Sequence, residues 1–234
     1  MMFTLSTSME QQNVDTVNIR MKNGPVAKKK QYHHPDLRQT LLDEAVKLID
    51  DEGLRGFSLR KLAVRAGVSH AAPYRHFENK DEILVILMLE GHKRLRQALL
   101  AARELAKGSA VDRCLAMSKA YLTFAQQNPE YLRVMFSREA MAAAAGLADK
   151  EETHQEDYDS FGVLEAMIRD CQKEGALPRN ADVGALGLLV WAEVHGLALL
   201  CNEGMIARMS EIRGGSEEQT LEVIFGIMKS RFKR

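Results

Sequence analysis

From Leu37 onward, apolar positions recur at steps of three and four: Leu37, Leu41, Leu42, Ala45, Leu48 and Ile49 share one helical face, with charged residues between them. Gly53 follows the last of them and predicts the end of that helix. Ser58 opens SLRKLAVRA, where Leu59, Leu62 and Ala63 predict a short second helix with an inward face, closed by Gly67. A third helix is expected to begin at Ser69. The run NKDE, Asn79 to Glu82, has capping-box spacing and predicts a long helix from Lys80 to Leu105.

The second half repeats the pattern. Ser109 starts a helix that ends near Asn128, and Asn128-Pro129 restarts one, with asparagine as cap and proline at the first helical position. A helix is expected over 151–174, stopped by Gly175 and Pro178. The apolar segment VGALGLLVWAEVHGLALLC follows, then SEEQTLEVIFGIMKSRF with a capping box at Ser216 to Gln219. Neither a β-alternating run nor an internal repeat occurs, so an all-α fold of about nine helices is expected.

Residues 1–33 are polar and irregular and end near the basic run Lys28 to Lys30, which reads as a disordered basic arm. Residues 34–80 form a helix-turn-helix unit, and residues 81–234 a larger helical domain. The net charge of zero hides an asymmetry between these parts. Residues 28–80 hold 11 Lys and Arg against 7 Asp and Glu, whereas residues 81–234 hold 19 against 23. A basic front end on an acidic body suits a polyanion at one end only.

Other function classes lack their signatures. No run of about eighteen uncharged apolar residues is present, and the first residues have no basic region followed by an apolar core, so neither a membrane span nor a signal peptide is expected. Cys114, Cys171 and Cys201 are odd in number and widely scattered, which fits a reducing cytoplasm better than disulfides or a thiolate zinc site. Nucleophile-elbow, Walker-type, dinucleotide-type and H-E-x-x-H patterns are missing, so no catalytic residue, cofactor or metal is expected. His154 among Glu151, Glu152, Glu156 and Asp157 reads as a solvated charge run.

The stretch GVSHAAPYRHF, residues 67–77, joins the two short helices. Gly67 can turn the chain through the left-handed region, Val68 fills the space beneath, and the Ser69 hydroxyl is expected to cap the next helix. Pro73, four residues in, is expected to be tolerated at the loss of one early hydrogen bond. Small Ala71 and Ala72 let the tip approach base edges, where methyl groups meet thymine methyls and His70 can donate or accept. Tyr74, Arg75 and His76 suit phosphate oxygens, Lys80 is expected on the same side, and Phe77 is expected to pack inward.

The lead-in LLDEAVKLIDDEG, the core SLRKLAVRAGVS and the tail YRHFENKDEIL resemble the DNA-binding domain of the tetracycline-repressor (TetR) family of bacterial transcription regulators, over about Leu37 to Leu87. The resemblance implies base-facing roles for Arg60, His70, Ala71 and Ala72, and phosphate-facing roles for Ser58, Tyr74, His76 and Lys80. Pro73 stands where the family usually has leucine. Farther on, Trp191, His195 and Gly196 resemble a Trp-His-Gly signature in the regulatory domain of one subgroup. Trp191 and His195 lie one turn apart and can border one cavity. Met117, Tyr121, Phe124, Met135, Phe136, Phe161 and Met167 are expected to join them around a small-molecule effector.

The last two helices carry Gly184, Ala185, Gly187, Ala192 and Gly196 and a greasy face at Ile224, Phe225, Ile227 and Met228, and a homodimer through a four-helix bundle would bury them. The expected protein is a cytoplasmic homodimeric regulator, most simply a repressor, that binds a palindromic double-stranded DNA operator and is released by a small, largely apolar ligand. A ligand-independent DNA-binding or architectural protein is the alternative, and an enzyme a more distant one.

Overall fold

The computed structural model describes residues 36–147 and 159–232. They form ten α-helices and no strand: α1 Leu37–Gly56, α2 Leu59–Arg65, α3 Lys80–Leu105, α4 Ala110–Gln127, α5 Pro129–Met135, α6 Arg138–Leu147, α7 Ser160–Lys173, α8 Val183–Asn202, α9 Met205–Ile212 and α10 Glu217–Arg231. The basic arm, the His154 charge run and the start of the helix expected over 151–174 lie outside the described residues.

The caps follow the sequence signals. Ser58, Asn79, Ser109 and Ser216 each accept a hydrogen bond from the third backbone N–H of the helix they open, and Ser109 and Ser216 complete reciprocal capping boxes with Asp112 and Gln219. Gly53 takes φ +70°, so the regular part of α1 ends there and a last turn runs on to Gly56.

Two helices escaped the periodicity reading. Helix α6 is opened by Ser137, whose hydroxyl accepts from the Ala140 N–H. Helix α9 begins after Gly204 in the left-handed conformation, only three residues beyond α8, and the Ser210 hydroxyl ties it to Thr220 at 2.6 Å.

One continuous core runs through both halves. Leu41, Ala45, Ile49, Leu62, Ile83 and Leu84 are fully buried where α1, α2 and the start of α3 meet. Leu95 and Leu99, farther along α3, pack in the same cluster as Met117 and Tyr121 of α4 and Val194 of α8. Each fully buried leucine, isoleucine, valine or methionine among these contributes ~1.5–3 kcal/mol. Helix α3 is thus the spine shared by the helix-turn-helix and the body.

Helix α8 is, among the described residues, the one helix long and apolar enough to cross a membrane by length and composition, with mean hydropathy 1.8. It escaped the sequence criterion because Glu193 interrupts the run. Val194, Leu197 and Ala198 are buried, Glu193 pairs with Arg231 of α10, and Leu188, Leu189, Leu199 and Leu200 stay exposed.

Candidate functional site

The helix-turn-helix is braced from α1. Arg65 at the end of α2 reaches Glu44 with Nε (3.1 Å) and Asp51 with Nη1 (2.6 Å), and Lys61 pairs with Glu52. Gly67 turns the chain at φ +67°, and the Val68 N–H closes the turn on the Ala63 carbonyl at 3.0 Å. Leu59, Leu62 and Ala63 bury the inner face of α2, so its direction relative to α1 is fixed by packing as well as by charge.

The expected third helix is not an α-helix. Residues 69–72 form turns, and only Pro73–Arg75 is regular, as one turn of 3-10 helix whose start, Ala72, has no side-chain cap. The Ala72 N–H donates to the Ser69 carbonyl at 2.9 Å, and the Arg75 N–H to the Ala72 carbonyl at 3.1 Å. An α-helix beginning at Ser69 would need an N–H from residue 73 for the Ser69 carbonyl, and proline has none; the three-residue bond from Ala72 takes its place. Ser69 therefore contributes its carbonyl at this turn, where a hydroxyl cap was expected. Pro73 is buried, which pins the segment to the core beside Phe77.

The nominated DNA-facing residues fall into two groups. Arg60, His70, Ala71, Tyr74 and Arg75 are exposed, and Tyr74 keeps 60% of its surface although its neighbour Pro73 is buried. Ser58, Ala72, His76 and Lys80 are half-buried. The Ser58 hydroxyl is engaged as the α2 cap, and the Lys80 ammonium donates to the Leu54 carbonyl at 3.2 Å, tying the start of α3 to the end of α1. Phe77 is 2% exposed, with the Arg38 guanidinium 5.4 Å from its ring centroid.

In the body, residues of α3, α4, α7 and α8, with Phe136, line a partly open cavity of about 230 Å³. Of the nine residues expected there, Met117, Tyr121, Phe136, Phe161 and Trp191 line it. His195 stands behind that wall: its Nδ1 is 2.7 Å from the Tyr121 hydroxyl, and its ring lies 4.7 Å from that of Phe136 and 5.2 Å from that of Trp191. Phe124, Met135 and Met167 belong to the solid core. Met135 fills the notch beside Gly91, where a Cβ would stand 2.6 Å from its Sδ.

The remaining lining comes from His92, Leu95 and Leu99 of α3, Ser118 of α4, Ser160 and Leu164 of α7, and Leu188, Val190 and Val194 of α8. His92, Leu95 and Leu99 stand at i, i+3 and i+7, so a histidine on an apolar stripe was the available signal for them. His92 Nδ1 lies 3.1 Å from the Ser160 hydroxyl, and its ring meets Phe136 edge-on. Burial holds both His92 and His195 below the ordinary 6.5, with the Asp159 carboxylate partly opposing this at His92. Burial also pushes the Tyr121 phenol up to about 12, so it keeps its proton.

A braced helix-turn-helix with an exposed, partly basic tip, joined through one long helix to a helical body with an apolar cavity, defines a two-domain bacterial DNA-binding regulator fold. Residues 41–85 match the family model described as bacterial regulatory proteins, tetR family, and residues 114–223 match the tetracyclin repressor-like C-terminal domain. The chain belongs to the TetR family of transcriptional regulators. It is similar to the nucleoid occlusion factor SlmA of Idiomarina loihiensis, 28% identical over 142 residues, which cover 60% of this chain and 68% of that protein. A protein of unknown function from Rhodococcus sp. RHA1 superposes with TM-score 0.64 at 28% identity, covering 87% of this chain and 97% of that one. The TetR family regulator PfmR of Thermus thermophilus superposes with TM-score 0.52 at 26% identity, covering 69% and 84%.

Proposed function

We propose that the protein is a homodimeric, cytoplasmic repressor that binds a palindromic operator and leaves it when a small, largely apolar molecule enters the cavity. The observation that carries this reading is the double engagement of α3. Its first residue, Lys80, follows the exposed tip after a few residues and is tied to α1, while His92, Leu95 and Leu99 on the same helix wall the cavity. A ligand acts only through its preference between two arrangements, and occupancy beside a helix shared by both functions supplies such a preference.

Residues 34–80 are the operator-reading part in this proposal and residues 81–234 the sensing and dimerising part. Arg60, His70, Ala71 and Ala72 meet base edges, and Ser58, Tyr74, Arg75, His76 and Lys80 meet the phosphates. Phe225 and Met228, expected on the dimer face, are buried within the protomer's own core, so the exposed leucines of α8 together with Val223 and Ile227 of α10 meet the same residues of a second copy. Such a dimer presents two tips about one DNA turn apart, ~34–36 Å, or somewhat more.

Selection of duplexes from a random pool by the purified protein tests the reading. The expected product is a two-fold symmetric site whose affinity falls when Tyr74 is replaced by alanine. A protein that retains no duplex preferentially, even at low salt, is not an operator-binding repressor.

A further inference from the structure

The chemistry of the cavity wall narrows the effector further, on the reading of this cavity as the effector site. Among the described residues that line it there is no Asp, Glu, Lys or Arg. An anionic ligand group placed there meets no cationic side chain among the described lining residues, and burying it unpaired is strongly unfavourable. The N-terminus of α7 offers no substitute, because the Asp159 carboxylate already caps it by accepting from the Gly162 N–H.

The polar groups in the wall can be counted proton by proton. The Ser118 hydroxyl donates to the Cys114 carbonyl at 3.0 Å and is used up. The Tyr121 oxygen receives the Trp191 indole N–H at 3.4 Å and shares a hydrogen bond with His195 Nδ1 at 2.7 Å that either atom can donate. His92 and Ser160 leave a proton to offer in either arrangement. A neutral imidazole and a hydroxyl hold two protons between them, and their mutual bond uses one. Whichever of the two donates, the other N–H or O–H is left to offer. We infer that the cavity takes a neutral, mostly apolar molecule with one hydrogen-bond acceptor, such as a ketone, ester, ether or alcohol, seated against the His92–Ser160 pair, and that it excludes carboxylates.

The chain's single tryptophan, Trp191, lines the cavity and reports occupancy directly. The test uses the whole chain and a matched set: methyl hexyl ketone, n-octanol, octanoate and n-octane. Binding is read by Trp191 fluorescence and thermal unfolding. The ketone and the alcohol are expected to bind, octane roughly tenfold more weakly for want of one hydrogen bond, and octanoate not measurably. Replacing only one member of the pair leaves the other's proton available, so the decisive variant is the double change His92→Leu with Ser160→Ala. It should abolish the advantage of the ketone over octane while leaving octane binding in place.

Octanoate binding as tightly as the ketone overturns the ligand class and leaves the effector cavity standing. A double variant that keeps the ketone preference overturns the assignment to His92 and Ser160. If that variant does not fold, the wild-type ranking of ketone, octane and octanoate decides alone. Silence from every compound, octane included, removes the cavity as an effector site altogether.

Discussion

The Arg133 guanidinium on α5 donates to the carbonyl of Ile49 on α1 at 3.1 Å, a tie between the body and the helix-turn-helix separate from α3. Phe136, the residue that ends α5, lines the cavity. One short helix therefore touches both the cavity and α1. Arg133→Ala removes a single hydrogen bond at a partly buried position and should lower stability by about 1 kcal/mol. In an effector-responsive repressor it should also weaken release more than operator binding, because a coupling of only about 1–3 kcal/mol can be upset by one contact. Operator titrations with and without effector measure both. An unchanged ratio of the two affinities means that α5 is a passive prop.

Gly91 makes the close approach of α5 to α3 possible. A Cβ there would stand 2.6 Å from Met135 Sδ, 2.7 Å from Met135 Cγ and 3.2 Å from Tyr131 Cδ1, and Met135 is 1% exposed. Alanine is the better helix former by ~1 kcal/mol, yet the crowding of ~1–3 kcal/mol should win. Gly91→Ala is expected to lower the midpoint of urea unfolding, and a second change, Met135→Val, to recover part of the loss. A stabilised single variant would show that α5 can move away freely.

Tyr74 and Phe77 are three residues apart and should behave in opposite ways. Tyr74 is 60% exposed, so Tyr74→Ala should change stability by no more than about 0.5 kcal/mol while weakening DNA binding across all sequences, as the loss of a phosphate contact does. Phe77 is 2% exposed, and Phe77→Ala should cost about 3–5 kcal/mol of stability. Thermal melts and fluorescence anisotropy on one selected duplex separate the two effects. Equal loss of folding in both variants would mean that Tyr74 supports the core.

These residues also show what was legible in the chain. The caps at Ser58, Asn79, Ser109 and Ser216 and the turn at Gly67 are local features, set by side-chain oxygens within three residues or by the freedom of one glycine, so the sequence displays them directly. Pro73 was visible too, and its missing N–H, which leaves the Ser69 carbonyl to the Ala72 N–H, is a local reason for the 3-10 turn that the helical expectation set aside. The cavity was half legible. Met117 and Met135 are both buried methionines, and only the notch at Gly91 sends one into the solid core while the other faces open space. His92 and Ser160 are 68 residues apart, and nothing in the sequence of either helix announces that they meet.

The buried histidines make stability depend on pH with a definite sign. His92 and His195 are both held below 6.5 by burial, so the unfolded chain binds protons more readily than the native one in the mildly acidic range. Their contribution is fully present above the unfolded value of 6.5 and is lost as pH falls through the lower folded values. The melting temperature should therefore drop between about pH 7 and pH 5, and the drop should be shallower in His92→Leu. An equal slope in the variant would assign the effect to other groups.

Helix α8 leaves Leu189 64% and Leu199 47% exposed, and α10 leaves Val223 62% and Ile227 56% exposed, a concentration of apolar surface that soluble single chains avoid. The Arg231–Glu193 ion pair ties the two helices together in the same chain. If a second copy covers these faces, a charge placed among them opposes the interface without touching the core. Leu189→Glu combined with Val223→Glu should convert a dimer into a monomer in sedimentation analysis, with helical content retained. Operator affinity should fall much further than in Tyr74→Ala, because each half-site then binds alone and the gain from linking two tips, of order 10²–10⁴-fold, disappears. A wild-type protein that sediments as a monomer at micromolar concentration would reject this interface outright.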